Sequence, residues 1–347
     1  MGEGYWVWLI PLSSGHTSVG LVVHDAVHAF ASFSTPERIF DWIERHEPAL
    51  SGPLARFRME DFHVRRSFSY TATRVFSDQR WALVGEAAAF VDPFYSPGSD
   101  FIALANTLAV ECIRADLAGA DLPAVTERLS ETYLRFASEA TETYRQAAKV
   151  YANPRILAAK IYWDNIHYWS FPCHYFIQGI YRLPIEEQEP FFELASRFSA
   201  LHVDAQRLFA IWAENANDRP HRKKVSLPAV PSGLASLHVH LGRRMSPRET
   251  RDYLEDNFTL ACEVLGDLIV RALAELGPDA AAAAVDTLAL DRWDLTSARV
   301  RLARAEGTGK RRHRLGKSSR DLERCLGVPA LHRGFESLSQ VSAVLPQ

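Results

Sequence analysis

The stretch from residue 81 to 119, WALVGEAAAFVDPFYSPGSDFIALANTLAVECIRADLAG, has the clearest local pattern in the chain. It opens with four apolar residues, 81–84, which are typical of a short buried strand. Apolar residues then recur at helical spacing from 101 to 112. Ser99 or Asp100 can cap the first turn of this helix, and the glycine that closes the stretch can end its last turn. The stretch therefore predicts a strand, a loop and a helix in that order.

The loop between strand and helix carries three features that suit a nucleotide cofactor. Glu86 follows the strand, where its carboxylate can accept hydrogen bonds from ribose hydroxyls. The small residues 87–89 let a ligand approach the backbone. The helix that begins after Gly98 offers free N–H groups and a positive dipole end, both of which favour an anion. A buried crossover without any ligand would show similar local features, so the loop alone leaves both interpretations open.

The N-terminus predicts a β-hairpin with strands at Tyr5–Leu12 and Thr17–Val23. Side chains alternate along a strand, so Trp6 and Trp8 lie on one face. Two aromatic residues on one face can simply pack against a helix, and the alternation by itself does not exclude that.

Two motifs together resemble known flavoproteins. Gly85-Glu86-Ala87-Ala88, followed by Asp92-Pro93 and Ser96-Pro97-Gly98-Ser99, is similar to the second FAD-binding motif of flavoprotein monooxygenases and flavin-dependent halogenases. Residues 6–11, WVWLIP, resemble the Trp-x-Trp-x-Ile-Pro motif of the halogenases at every fixed position.

The resemblance implies FAD as the cofactor, with Glu86 at its ribose and Gly98 and Ser99 at the flavin edge. The implied cofactor-binding residues are Gly85, Glu86, Ala87, Asp92, Pro93, Gly98 and Ser99. A halide is expected beside Ser96, Pro97 and Gly98. Trp6 and Trp8 are expected to line the passage between flavin and substrate.

The implied activity is that of an FAD-dependent oxidoreductase. Reduced FAD and oxygen would halogenate or hydroxylate an organic, aromatic substrate of secondary metabolism. Tyr95 stands where tryptophan-type halogenases carry a glutamate, which favours the phenol- or pyrrole-type branch or a non-halogenating enzyme. A flavin-dependent reductase of the prenyl-reductase kind and a non-catalytic fragment that pairs with another chain are the alternatives.

The sequence shows no Gly-x-Gly-x-x-Gly loop. The family's catalytic lysine would lie in the same portion as that loop, so no catalytic residue is assigned here. The chain is therefore expected to be an N-terminally incomplete member of the family.

The predicted fold class is α+β, a partial α/β flavoprotein fold. Residues 1–120 would form a substrate-side sheet and the end of the FAD-binding domain, 121–305 a helical domain, and 306–347 a basic, flexible tail. A half-buried strand is expected at 63–75. Two helices have clear starts. One lies within 34–50, with Thr35 as its cap, Pro36 at its first position and Pro48 at its end, and the other begins at Ser246 and runs to Leu276.

Three further segments invite interpretation. The aromatic stretch 161–176 could wall a substrate pocket, with His167 or His174 as a polar contact, or pack as a helical core. The charged turn 218–224 is a linker candidate. The basic cluster 310–320 could contact a phosphate-bearing partner or remain solvated.

Composition limits the classes of partner. The 347 residues carry a net charge of −3, which favours neither nucleic acid nor an acidic membrane as the main partner. Four widely spaced cysteines suggest no metal site and fit a reducing cytoplasm. No apolar run is long enough to span a membrane. A small-molecule or carrier-bound substrate is expected. A separate flavin reductase, a second copy of the chain and a chain with the missing half remain open as partners.

Overall fold

The computed structural model describes residues 1–216, 231–290, 295, 299, 302, 316–327 and 329–346. The chain divides into two compact units, Met1–Asn153 and Pro154–Gln347. The predicted linker at 218–224 and residues 310–315 of the basic cluster lie outside the described residues. The domain limits expected from the sequence, 1–120, 121–305 and 306–347, stay a prediction.

The first unit begins with the predicted hairpin. Strands β1 (Tyr5–Pro11) and β2 (Thr17–Val23) are antiparallel, with Trp8 opposite Gly20. One face packs into a core that contains Trp42. The opposite face carries Trp6 and Trp8, whose ring centroids lie 5.5 Å apart. The prediction that the two tryptophans share a face is confirmed.

Local signals fix the first helices. Thr35 accepts the N–H of Arg38 at 3.4 Å and begins α1 (Pro36–His46), as predicted. Proline lacks the N–H that a continuing helix needs, so Pro48 ends this helix and opens α2 (Pro48–Leu54).

The remaining strands of the first unit are only two residues long. They form two antiparallel pairs, β3 (Tyr70–Thr71) with β6 (Ala89–Phe90) and β4 (Phe76–Ser77) with β5 (Trp81–Ala82). The strand predicted at 63–75 is therefore wrong apart from β3, and the one predicted at 81–84 is reduced to β5. Positive φ angles at Ser67 (50°), Arg80 (59°) and Gly85 (64°) turn the chain away from the extended conformation.

Two long helices complete the first unit. They are α3 (Gly98–Leu117) and α4 (Leu122–Arg145). The rings of Phe101 and Tyr133 lie 5.9 Å apart between them. The helix predicted after Gly98 is α3, and this prediction is confirmed.

The described residues of the second unit are mainly helical. The helices are α5 (Pro154–Ser170), α6 (Pro172–Ile177), α7 (Ile185–Asn215), α8 (Ser232–Val239), α9 (Pro247–Leu276), α10 (Pro278–Thr287), α11 (Lys317–Leu326) and α12 (Leu338–Val344). Ser246 and Glu249 form a capping box at the start of α9, where the sequence places it. The α+β class with a helical second half is confirmed, whereas the flavoprotein sheet stays a prediction.

The second unit buries residues that the sequence left ambiguous. Trp163 and His174 are fully buried, and His167 is nearly so, which places the aromatic stretch in a packed interior. In the segment predicted as a tail, α11 and α12 bury Leu322 and Val341 completely. These helices are held by apolar contacts that a pattern dominated by basic residues conceals.

Across the part of the chain that the structure describes, no helix is both long and apolar enough to cross a membrane.

Candidate functional site

Asp92 joins the two motifs of the first unit. Its carboxylate accepts the indole N–H of Trp6 at 3.1 Å and the backbone N–H of Phe94 at 3.0 Å. The second bond caps the short 3-10 turn Pro93–Tyr95. Residues that lie 86 positions apart in the chain are therefore held together by one buried side chain.

Burial sets the ionisation of Asp92 and of its neighbour His24. Removal from water raises the pKa of Asp92, although its two hydrogen bonds and the nearby His24 act in the opposite direction. Burial likewise lowers the pKa of His24, while the negative charges of Asp92 and Asp25 raise it. The two side chains thus form an electrostatically coupled pair.

Trp6→Phe is expected to lower stability by about 1–3 kcal/mol at neutral pH, because the buried Asp92 carboxylate loses a donor. The pKa of Asp92 is raised in the folded chain, so the stability it contributes is greatest at low pH and is lost as the pH rises through that pKa. The cost of the substitution should therefore shrink on acidification, where a protonated carboxyl depends less on the donor.

Urea unfolding of wild type and Trp6→Phe at several pH values measures this difference. Trp8→Phe is the matched control, since that indole donates to the neutral hydroxyl of Ser18 at 3.1 Å. Its cost should not vary with pH. Equal pH dependence of the two variants would contradict the role given to Asp92.

Aromatic rings surround the Asp92 loop. The ring of Phe94 lies 5.3 Å from that of Trp6 and 5.6 Å from that of Tyr151. Trp8 lies flat against Gly20, where an added Cβ would overlap the indole. A glycine at this strand position therefore lets the tryptophan cover the sheet.

A groove of about 1610 Å³ runs along β2 to the Asp92 loop. Its walls come from the hairpin, α1 and α2, the segment 57–69, the loop at Asp92 and Pro93, and the end of α4. The volume exceeds the roughly 300–1,000 Å³ of a usual ligand pocket. Among the predicted site residues, Trp8, Asp92 and Pro93 line this groove.

A second cluster lies at the start of α3. A 3-10 turn, Gly85–Ala87, places the exposed Glu86 so that its carboxylate lies against Gly98, the first residue of the helix. An added Cβ at Gly98 would overlap Oε1 of Glu86 and lie 3.2 Å from its Cδ. The hydroxyl of Tyr70 donates to the backbone oxygen of Glu86 at 2.6 Å and holds the turn.

Some polar groups near this helix start have no hydrogen-bond partner among the described residues. Pro97 is the N-cap of α3 and supplies no side-chain hydrogen bond to the first turn. Tyr133 is fully buried, and its hydroxyl has no hydrogen-bond partner among the described residues. Burial, together with the nearby Tyr70 and Glu86, raises the pKa of Tyr133 to about 12. Its hydroxyl therefore remains a proton donor at neutral pH.

The predicted halide loop connects the two clusters. Ser96 has a left-handed backbone (φ 56°) and ends the 3-10 turn that Asp92 caps. Pro97 follows, and α3 begins at Gly98 with Ser99 exposed beside it. The structure thus groups Trp6 with Asp92 and Glu86 with Gly98, with Ser96 and Pro97 between the groups.

Sequence reasoning missed two polar members of these clusters, His24 and Tyr70. His24 could have been found by extending the alternation of β2, since Gly20, Val22 and His24 follow at intervals of two on one face. Tyr70 carries no such signal, because its contact depends on how two distant turns meet. Within the described ranges, no group of three or more His, Cys, Asp or Glu side chains is arranged to hold a metal ion.

Comparison with curated proteins finds several similar sequences. The chain is 26% identical over 190 residues to the flavin-dependent halogenase chlA of Dictyostelium discoideum. This alignment covers 53% of this chain and 31% of that protein. It is 30% identical over 93 residues to the 1H-pyrrole-2-carbonyl-(peptidyl-carrier protein) chlorinase of Pseudomonas fluorescens, covering 27% and 20%. It is 32% identical over 124 residues to the flavin-dependent halogenase otaD of Aspergillus niger, covering 34% and 25%.

The alignments with these three relatives each cover less than a third of the relative's own length. No protein-family model and no solved structure gives a significant match to the chain.

Proposed function

We propose that this chain, which is related to the flavin-dependent halogenases, forms the part of an FAD-dependent oxidoreductase that contacts the flavin edge and borders the substrate groove. The whole enzyme would use reduced FAD and oxygen to halogenate or hydroxylate an aromatic substrate. Relatives named as flavin-dependent halogenases support the halogenase type over a reductase of the prenyl-reductase kind.

The observation that carries the proposal is the position of the Glu86 carboxylate against Gly98 at the start of α3. A flexible, exposed carboxylate there can turn to accept hydrogen bonds from ribose hydroxyls. The helix start beside it favours a negatively charged ligand group. Because Gly98 has no side chain, a planar ring can approach the backbone at this point.

The residues present fit an FAD molecule in chemical terms. Glu86 would hold the ribose, and the backbone at Gly98 and Ser99 would contact the flavin edge. The buried hydroxyl of Tyr133 is a donor without a partner among the described residues, and it lies near the Glu86 charge. Gly85, Ala87, Asp92 and Pro93 would shape the loop that surrounds the cofactor.

Reduced flavin and oxygen supply the oxidising power when they are bound. The chain's own residues orient the reactants: the first turn of α3 stabilises negative charge, and Ser96, Pro97 and Gly98 would border a halide. Asp92 holds Trp6 by its hydrogen bond, so the tryptophan face keeps a fixed distance from the loop. Aromatic residues of the groove, such as Trp8, would pack against a flat substrate.

The substrate would be a phenol- or pyrrole-type ring, free or attached to a carrier protein. Tyr95 supports this class, because the glutamate of tryptophan-type enzymes is absent at its position. The relative named as the chlorinase of a carrier-bound pyrrole supports the carrier-bound form. A separate flavin reductase, a second copy of the chain or another chain would complete the assembly.

A titration of the purified chain with FAD, followed by flavin fluorescence, tests the cofactor part of the proposal. We expect saturable quenching at micromolar FAD, at least a tenfold weaker affinity for Glu86→Ala, and an unchanged affinity for the matched control Glu127→Ala. Glu127 is an exposed carboxylate on α4. Absence of binding, or equal binding by both variants, would overturn the assignment of Glu86.

Product analysis separates halogenation from hydroxylation. With reduced flavin, oxygen and bromide, a halogenating enzyme gives a product whose mass depends on bromide. A hydroxylating enzyme gives the same product mass with and without bromide.

A further inference from the structure

His24 enters the groove on the face of the hairpin that carries the two tryptophans. Trp6 is opposite Val22 in the hairpin, and His24 lies two residues beyond Val22 on the same side. The backbone N–H of His24 donates to the oxygen of Gly4 at 2.8 Å, which fixes its backbone at the open end of the hairpin, opposite to the turn. The residue lines the groove at this point.

Charged groups approach His24 from several elements. Asp92 comes from the loop and Asp25 from its own segment, and Arg145 at the end of α4 lines the same groove. Arg145 is paired with Glu142 at 2.8 Å, and the charges that act on His24 are those of the carboxylates Asp92 and Asp25. The ring of Tyr151 lies 6.2 Å from the imidazole and closes one side of it.

We propose that His24 is a proton acceptor in this groove and that its ligand is an aromatic ring with an ionisable hydroxyl group. The inference rests on the proposed function, in which the groove takes the aromatic substrate. The hydroxyl O–H bond breaks, its proton forms a new N–H bond on the imidazole, and the electron pair stays on the oxygen. An aryl oxide and an imidazolium result, so the total charge is unchanged.

The surroundings of His24 suit both states of this transfer. Burial lowers its pKa, so the neutral imidazole that can accept a proton is present at neutral pH. After the transfer, the carboxylate of Asp92 stabilises the imidazolium. Hydrogen bonds from Trp6 and Phe94 hold this carboxylate in place, so no reorganisation is needed.

The groove also offers a place for the ring. Trp8, Phe68 and Phe90 are among its lining residues, and they supply flat apolar surface. An aryl oxide has more electron density on its ring than the neutral phenol has, which makes the ring more reactive toward an electrophile. Proton transfer to His24 would thus activate the substrate for the proposed reaction.

Binding of 4-nitrophenol to the full chain tests the inference, because its ionisation is visible in its absorbance. We expect the bound compound to ionise at a lower pH than it does in water. His24→Gln should abolish that shift and weaken 4-nitrophenol binding at least fivefold. The same variant should bind 4-nitroanisole, which has no ionisable hydroxyl, as wild type does.

His16→Gln is the matched control, since His16 lines the same groove but is exposed at the hairpin turn. It should leave both ligands unaffected. Asp92→Asn should reduce the ionisation shift while 4-nitroanisole still binds. An unshifted ionisation in wild type, or equal losses of both ligands in His24→Gln, would overturn the inference.

The FAD titration distinguishes failure of this inference from failure of the proposed function. A chain that binds FAD but does not shift 4-nitrophenol ionisation would refute only the role of His24. A chain without FAD affinity would refute the proposed cofactor site.

Discussion

Lys160→Met is expected to lower the free energy of unfolding of the second unit by about 3–5 kcal/mol. Lys160 lies on α5 and is 2% exposed. Its ammonium is 2.7 Å from Asp164 and 2.5 Å from the side-chain oxygen of Gln206 on α7. Methionine has a similar length but no charge, so the substitution leaves the Asp164 carboxylate buried beside a thioether.

Chemical unfolding of the chain measures this cost. Arg197→Met is the matched control, because the ion pair of Arg197 with Glu255 is 41% and 48% exposed. An exposed pair contributes only about 0–1 kcal/mol. If both substitutions cost the same, the buried triangle of Lys160, Asp164 and Gln206 does not hold α5 and α7 together.

Gly98→Ala is expected to weaken FAD binding at least tenfold with little change in melting temperature. The added Cβ would overlap Oε1 of Glu86. That oxygen is the end of a flexible, exposed side chain, so Glu86 moves aside at little cost to the fold. Alanine also favours a helix more than glycine does. The substitution therefore tests how the position of Glu86 affects FAD binding without lowering the stability of α3.

Fluorescence titration with FAD and thermal unfolding together test this expectation. Gly52→Ala is the matched control, because Gly52 lies in α2 and a Cβ there would meet no other atom within 4 Å. The double substitution Glu86→Ala with Gly98→Ala should bind FAD more weakly than Glu86→Ala alone, because the Cβ at residue 98 also hinders the approach of the flavin ring to the backbone. If Gly98→Ala binds FAD with the affinity of wild type, the result contradicts the ribose-binding role proposed for Glu86.

Elements governed by neighbouring residues could be predicted from the sequence. Thr35 with Pro36, and Ser246 with Glu249, begin helices through hydrogen bonds that span three residues. Alternation along β1 placed Trp6 and Trp8 on one face for the same local reason. The order of strand, loop and helix around residue 98 also followed from short-range patterns, although its strand proved shorter.

The features that depend on contacts between distant residues could be read only from the tertiary structure. The strand expected at 63–75 failed because backbone turns such as that at Ser67 leave only β3 extended. The bond from Trp6 to Asp92 joins residues 86 positions apart, and no local pattern encodes such a pairing. Local patterns in the sequence were sufficient to predict the helix starts and the hairpin and to identify the motifs. Only long-range packing decided which motifs meet, because burial and charge pairing act through space rather than along the chain.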